Sequence, residues 1–377
     1  MKIVGILCEY NPLHLGHAKQ ISSIRKRCGD DCAIVCLMSG NFVQRGQPAV
    51  FDKMLRTEAA LACGADLVLE LPVTYALSSA EGFAAGAVSI LGTFCDEMSF
   101  GAEHPDPDAL MATAKALLSP AFSGHLRRHL DAGLSFPAAR AKALADMGAD
   151  EALVSSPNDI LAVEYCKAIA AQGSAMVPCP IHRPGSYHDA APDPENPSAT
   201  AVRLLIENGK FYRPYVPTDC FENAPVHALK YGGRAILAKL RTMSDGEFEA
   251  LPYGSEGLWR KLMHESRRCN TLEDILTAVK SKRYTRTRLD RMVMCAFLGL
   301  TAADLSAPAP YARVLGFTDQ GREALRLAKK RTPLFNVGER VDSPFWQTEQ
   351  RCTDLYGLFA QTPEPAGQEP KKRIIIK

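Results

Sequence analysis

The chain has 377 residues, twelve cysteines, and 44 basic against 42 acidic side chains, giving a formal charge of +2. That length supports one large core or two moderate ones, and two is the better expectation. So even a balance excludes nucleic-acid binding by bulk charge, leaving only local basic surfaces, and no apolar run approaches the roughly eighteen residues of a membrane span.

Along the first half, short β-rich runs alternate with stretches of helical period. A strand at 3–7 is followed by a helix over about 17–27, and a strand at 33–38 by a loop and a helix over 51–62. A strand at 67–71 precedes a helix over 80–91, and a strand at 97–100 precedes helical segments to about 147, a helix near 160–171 and a strand at 175–181. Such alternation predicts an α/β fold with a parallel sheet covered on both faces, whose ligands sit at the carboxyl ends of the strands. Cys8, Cys36, Cys63, Cys166 and Cys295 lie in apolar segments, as buried reduced thiols of a cytoplasmic protein would. Cys28, Cys32 and Cys36 are evenly spaced, but no Cys-x-x-Cys occurs, which argues against a metal cluster. The 3–7 run is too short for a signal-peptide core, so the expected location is the cytoplasm.

The most informative segment follows the first strand, where His14-Leu15-Gly16-His17 opens a helix. Gly16 lets a phosphate chain approach the backbone, and the helix start offers unpaired N–H groups and the positive end of a dipole. His14 and His17, three apart, can point the same way and donate hydrogen bonds to an α-phosphate as negative charge develops on it. Zinc binding and plain helix capping are the alternatives for this pair; no third ligand is near, and His-Glu-x-x-His is absent. No Gly-x-Gly-x-x-Gly follows the strand, which disfavours a dinucleotide.

A Pro-, Asp- and Gly-rich loop over 183–197 leads to Ser198-Ala199-Thr200-Ala201-Val202-Arg203, a second helix start. Ser198 or Thr200 can cap it, with Arg203 one turn in and the helix closing near Asn208-Gly209. A hydroxyl pair with an arginine at a helix amino end is a second phosphate-binding device, and two such devices on one sheet favour a triphosphate. From about residue 217 helical segments dominate, over 224–240, 257–268, 272–279, 289–300 and 321–329. Basic residues outnumber acidic ones between 260 and 291, and Tyr284 stands among Lys282, Arg283 and Arg286, as suits phosphate contacts around a stacked base. These four are the candidate RNA contacts. The loop over 39–48, with Asn41, Gln44 and Arg45, borders the same strand ends and is either a lid or a structured turn.

These residues resemble the nucleotidyltransferase superfamily, and longer strings within the chain resemble the bacterial tRNA(Met) cytidine acetate ligases. The strings are those over 9–17 and 38–49, then Asp66-Leu67-Val68-Leu69-Glu70-Leu71-Pro72, Ser99-Phe100-Gly101-Ala102-Glu103, Ser156-Pro157-Asn158-Asp159-Ile160-Leu161-Ala162, Tyr187-His188-Asp189 and Lys282-Arg283-Tyr284-Thr285. The chain has Leu15 where that family usually shows Asn, and Leu13 where Phe is common. The likeness runs from residue 1 to about 335; with the change of pattern near 217 it divides the chain into a Rossmann-like nucleotidyltransferase domain over 1–216 and a mainly α-helical, basic tRNA-binding domain over 217–362, while the stretch 363–377 reads as a disordered tail. It implies activation of acetate by ATP with Mg²⁺ as acetyl-adenylate, then acetylation of N4 of the wobble cytidine, C34, of elongator tRNA(Met). The ATP site it implies comprises Leu7, Cys8, Glu9, Tyr10, Asn11, Pro12, Leu13, His14, Leu15, Gly16, His17, Ala18, Lys19 and Gln20, with Gly101, Asn158 and Arg183. His14 and His17 are then the catalytic pair, Ser198, Thr200 and Arg203 hold the outer phosphates, and no membrane or protein partner is expected. Two rivals remain: a nucleotidyltransferase acting on a small phosphorylated metabolite, and a non-catalytic RNA-binding protein on a relic nucleotide fold.

Overall fold

The structure, a computed structural model, describes residues 1–183, 193–281 and 283–377. β1 (Lys2–Cys8), α1 (Leu15–Cys28) and β2 (Cys32–Ser39) form the first crossover, with β1 and β2 parallel and paired from Lys2↔Cys32 to Cys8↔Met38. A small antiparallel hairpin, β3 (Phe42–Val43) and β4 (Gln47–Pro48), precedes α2 (Lys53–Ala62) and β5 (Leu67–Leu71). The short α3 (Val73–Ala76), then α4 (Ala80–Leu91), lead to β6 (Glu97–Ala102). α5 (Pro107–Leu118), α6 (Pro120–Asp131), α7 (Phe136–Ala145) and α8 (Pro157–Ala171) separate β6 from β7 (Val177–His182). β2 is buried along its whole length and reads CAIVCLMS, the continuous apolar run expected of a strand covered on both faces.

α9 (Ala199–Glu207) ends this part, and a helical region follows: α10 (Leu229–Thr242), α11 (Asp245–Glu249), α12 (Leu258–Arg268), α13 (Leu272–Val279), α14 (Arg286–Leu298) and α15 (Ala302–Ser306). These helices bury their own cluster, including Ile236, Leu240, Phe248, Leu262, Ile275, Val293 and Phe297. The chain then returns to the sheet through β8 (Ala312–Phe317), α16 (Asp319–Lys329) and β9 (Leu334–Asn336), and finishes with α17 (Pro344–Tyr356) and β10 (Ile375–Ile376). The strand order is β10-β8-β5-β2-β1-β6-β7, with β9 also on β8.

This topology corrects two expectations. The mainly helical segment 217–362 is not a self-contained unit, because β8 and β9 join the main sheet, β8 running antiparallel to β5. A buried arginine hid β8 in its sequence Ala-Arg-Val-Leu-Gly-Phe: Arg313 is 1% exposed, paired with Glu349 at 2.8 Å and flanked by the rings of Tyr311 and Trp346. Nor is 363–377 disordered. β10 pairs with β8, and Glu369, 0% exposed, meets Lys53 at 2.8 Å and accepts a hydrogen bond from Thr353 at 2.5 Å. A polar, proline-containing tail reads as unstructured unless its buried charge partner, 316 residues away, is known.

The loop over 39–48 is a packed hairpin and not a mobile cover. Phe42 is buried edge-on against Tyr356 and Phe359, and Asn41 accepts a hydrogen bond from the Lys53 N–H at 3.1 Å. Gly46, at φ +73°, lies so close to α14 that a Cβ there would stand 2.4 Å from the Arg291 nitrogen.

Candidate active site

The site lies where the carboxyl ends of β1, β6 and β7 meet the amino ends of α1 and α9, the crevice position a parallel sheet provides. A cleft of about 180 Å³ is lined by His14, Gly16, His17, Lys19, Gln20, Gly101, Arg183 and Ser198, all expected, and also by Ser23, Ile181, His182, Asn196 and Pro197. Ile181 and His182 end β7 and Asn196 and Pro197 approach α9, so adjacency to Arg183 and Ser198 was the available signal, while Ser23 lies on α1 two turns beyond Gly16. The stretch Tyr187-His188-Asp189 lies outside the described residues.

His14 is the N-cap of α1. Its Nδ1 accepts a hydrogen bond from the Gly16 N–H at 3.1 Å, while His17 Nδ1 accepts from the His14 N–H at 3.3 Å, a reciprocal capping box built from two histidines. Both Nδ1 atoms are therefore acceptors, and the proton of each neutral ring sits on Nε2. The rings lie 3.8 Å apart, tilted by 30°, with Tyr10 edge-on to His17 at 5.0 Å. Burial, then the nearby Arg183 and Arg203 charges, push His14 down to about 3. Burial, then His14 and Arg183, hold His17 well below the usual imidazole range. His14 is 1% exposed, and its Nε2 meets no acceptor among the described residues. A buried N–H donor without an acceptor costs about 1–3 kcal/mol, which a phosphate oxygen in the cleft would recover. The capping alternative for the histidines is thus realised at Nδ1. Among the described residues no group of three or more His, Cys, Asp or Glu comes together around them, so the zinc alternative has no ligand set there.

Arg203, one turn into α9, donates to the Asn11 carbonyl at 2.6 Å and to Thr200 Oγ1 at 3.1 Å, which joins the start of α9 to the turn that precedes α1. Ser198 caps α9, its Oγ accepting from the Ala201 N–H at 3.1 Å, and keeps a hydroxyl proton to donate. Lys19 Nζ donates to the Glu195 carbonyl at 2.6 Å, closing the cleft from the α1 side. Gly101 lies in register with Ile181 across β6 and β7, and a Cβ on it would stand 3.0 Å from Arg183 Cδ, so the absent side chain leaves room for the Arg183 stem to cross the strand end. Asn158 stands back from the cleft at the amino end of α8, donating from Nδ2 to Glu103 at 3.0 Å. Cys8, Tyr10, Pro12 and Leu13 are buried and Leu7 is half-buried, and none of them lines the cleft; Tyr10 is at φ +46° and 1% exposed. Glu9 Oε1 accepts from the Gln44 N–H at 2.7 Å, which fastens the hairpin to the site, while Leu15 and Ala18 face the outer side of α1.

Sequence reading missed Arg56. It is 0% exposed, and its guanidinium donates to the Glu9 carbonyl at 2.6 Å, the Ser39 carbonyl at 3.0 Å, the Phe51 carbonyl at 2.9 Å and the Gly40 carbonyl. It thereby ties together the outgoing ends of β1 and β2. On an amphipathic helix an arginine reads as solvated, and only the fold reveals this role.

Of the four candidate RNA contacts, Lys282 lies outside the described residues. Arg283 and Tyr284 both meet Glu256, at 2.7 and 3.1 Å, and Arg286 bridges Glu273 and Asp290 at 2.7 and 2.9 Å. Arg283 keeps its guanidinium 70% exposed, so its pair is of the weak surface kind that a phosphate can displace.

Residues 1–371 match the family model described as HIGH Nucleotidyl Transferase. The chain is 37% identical to a tRNA(Met) cytidine acetate ligase of Clostridium novyi over 89% of each sequence, and 34% identical to that of Clostridium acetobutylicum over the full length of both. Two crystal structures of Thermotoga maritima TmcAL superpose on it, the apo form with a TM-score of 0.90 at 32% identity and a form bound with alpha-thio ATP with a TM-score of 0.87 at 31% identity. Each covers 100% of this chain and 99% of the other. With its histidine-capped helix start, nucleotidyltransferase sheet and full-length relatives, the chain belongs to the HIGH nucleotidyl transferase family, within it to the tRNA(Met) cytidine acetate ligases, and is an enzyme of the ligase class.

Proposed function

We propose that this chain activates acetate with ATP and transfers the acetyl group to N4 of the wobble cytidine, C34, of elongator tRNA(Met). The observation that carries this reading is the neutral imidazole pair lining the cleft beside Arg183, with both Nδ1 atoms used as helix-capping acceptors and the buried His14 Nε2 without a partner among the described residues. In the first step an acetate oxygen attacks the α-phosphorus, the bond to the bridging oxygen breaks, and pyrophosphate leaves with its electron pair. No enzyme nucleophile is needed, so the protein's work is alignment and charge stabilisation. Neutral donors suit this step because they already point where negative charge grows and need no proton transfer. Arg203, braced by Asn11 and Thr200, and the Ser198 hydroxyl hold the outer phosphates.

Mg²⁺ fits this scheme as part of the ATP substrate rather than as a resident ion, since the described residues bring no ligand set together. In the second step the cytidine amine attacks the acetyl carbonyl, AMP departs, and the amine loses a proton. The base must leave its stack to reach the adenylate. The basic helical region, with Arg283, Tyr284 and Arg286, supplies the backbone contacts, and α14 rests on the hairpin that borders the site. A cytoplasmic location accords with this substrate. Incubating the protein with ATP, Mg²⁺, labelled acetate and unmodified tRNA(Met) is expected to give labelled N4-acetylcytidine at position 34, read by nuclease digestion and mass spectrometry. Absence of label, or label at another nucleotide, would contradict the proposal.

A further inference from the structure

We propose that Phe211 and Tyr231 form a base-stacking platform for single-stranded nucleotides lying a few positions from the reacting cytidine. This rests on the reading of tRNA as the second substrate. Phe211 is 76% exposed, the most exposed of the large hydrophobic side chains among the described residues. Its outward pose is built in. Gly209, at φ +63°, ends α9, and Tyr212 is anchored inward, its hydroxyl donating to the Phe221 carbonyl at 2.8 Å, so the intervening side chain is held in solvent. Lys230 Nζ donates to the Glu207 carbonyl at 2.6 Å and lies over the Tyr231 ring at 5.1 Å, drawing the amino end of α10 to the carboxyl end of α9. Lys230, Tyr231 and Arg234 are exposed at helical spacing on α10, and Lys210 is exposed beside Phe211.

Exposed rings bracketed by cations match the chemistry of single-stranded nucleic acid: each base offers a face to stack and each phosphate a negative charge. A protein partner would be expected to find a wider apolar patch with fewer charges at its centre. The placement also fits. α9 begins at the phosphate cradle and carries Arg203, and at about 1.5 Å per residue its far end lies roughly 10 Å away, a few nucleotide steps along a strand whose target base sits in the cleft.

The test measures the tRNA KM for acetylation, acetate-dependent ATP–pyrophosphate exchange and sedimentation for wild type, Phe211→Ala, Phe211→Trp and Lys210→Glu. Phe211→Ala is expected to raise the tRNA KM roughly 5-fold or more while exchange stays at the wild-type rate, and Phe211→Trp to restore the KM. Lys210→Glu is expected to weaken tRNA binding and flatten its salt dependence. A wild-type tRNA KM in Phe211→Ala, a parallel loss of exchange, or an altered association state with unchanged RNA kinetics would each overturn the platform. Wild-type protein that exchanges pyrophosphate but never acetylates tRNA would instead overturn the functional reading, and the platform with it.

Discussion

His14 and His17 both use Nδ1 to cap α1, and the His14 Nε2 meets no partner among the described residues. On the proposed mechanism, replacing either by Ala removes a transition-state donor, and acetate-dependent ATP–pyrophosphate exchange is expected to fall about 10²–10³-fold, with ATP affinity in equilibrium dialysis changed far less. His14→Ala also loses the N-cap, at about 1 kcal/mol of stability. Because both rings are held far below the ordinary value near 6.5, the unfolded chain binds more protons than the folded one once pH drops past that value. Stability is therefore complete above about pH 6.5 and declines on acidification toward pH 3, by at most about 1.4 kcal/mol per pH unit for each ring. Chemical denaturation from pH 8 to pH 5 should show that slope in the wild type and a shallower one in His14→Gln; equal slopes would mean that the rings are not buried neutral.

At the scale of elements, the site depends on how β1 and β2 end. Arg56 gathers carbonyls from both ends and from the residue before α2, and Arg56→Met leaves those buried acceptors unsatisfied. The expected cost is about 3 kcal/mol or more, seen as a lower urea midpoint. The hairpin is the second such element. Gly46→Ala places a methyl against α14 and forces an unfavourable positive φ, so thermal unfolding should drop by several degrees, whereas the same change at Gly124, inside α6 where a Cβ meets nothing, should raise it slightly. Much of this was legible beforehand. The strands at 3–7, 33–38 and 67–71 and the helix starts at His14 and Ser198 show in sequence because their signals are local: apolar runs, cap residues, a glycine turn. Arg56, Arg313 and Glu369 were illegible because each is a charge whose burial is justified only by partners distant in sequence, and local patterning assigns charges to the surface.

For the whole molecule, the last fifteen residues close the sheet. Lys53 sits between Glu70 and Glu369, and Lys372 pairs with Asp52 at 2.8 Å, so the tail neutralises the helix that carries Arg56. Removing residues 363–377 strands a buried lysine beside a single carboxylate and bares β8, and the truncated chain is expected to lose several kcal/mol or to fail to accumulate in soluble form. Full solubility and an unchanged melting temperature would show that the tail is dispensable. The most direct test of the central claim is acetate-dependent exchange of labelled pyrophosphate into ATP by wild type and His17→Ala, without tRNA. Exchange in the wild type that requires acetate and falls at least about 100-fold in the folded variant is the predicted result. Exchange that proceeds without acetate, or that survives the loss of the His17 imidazole, would contradict the account.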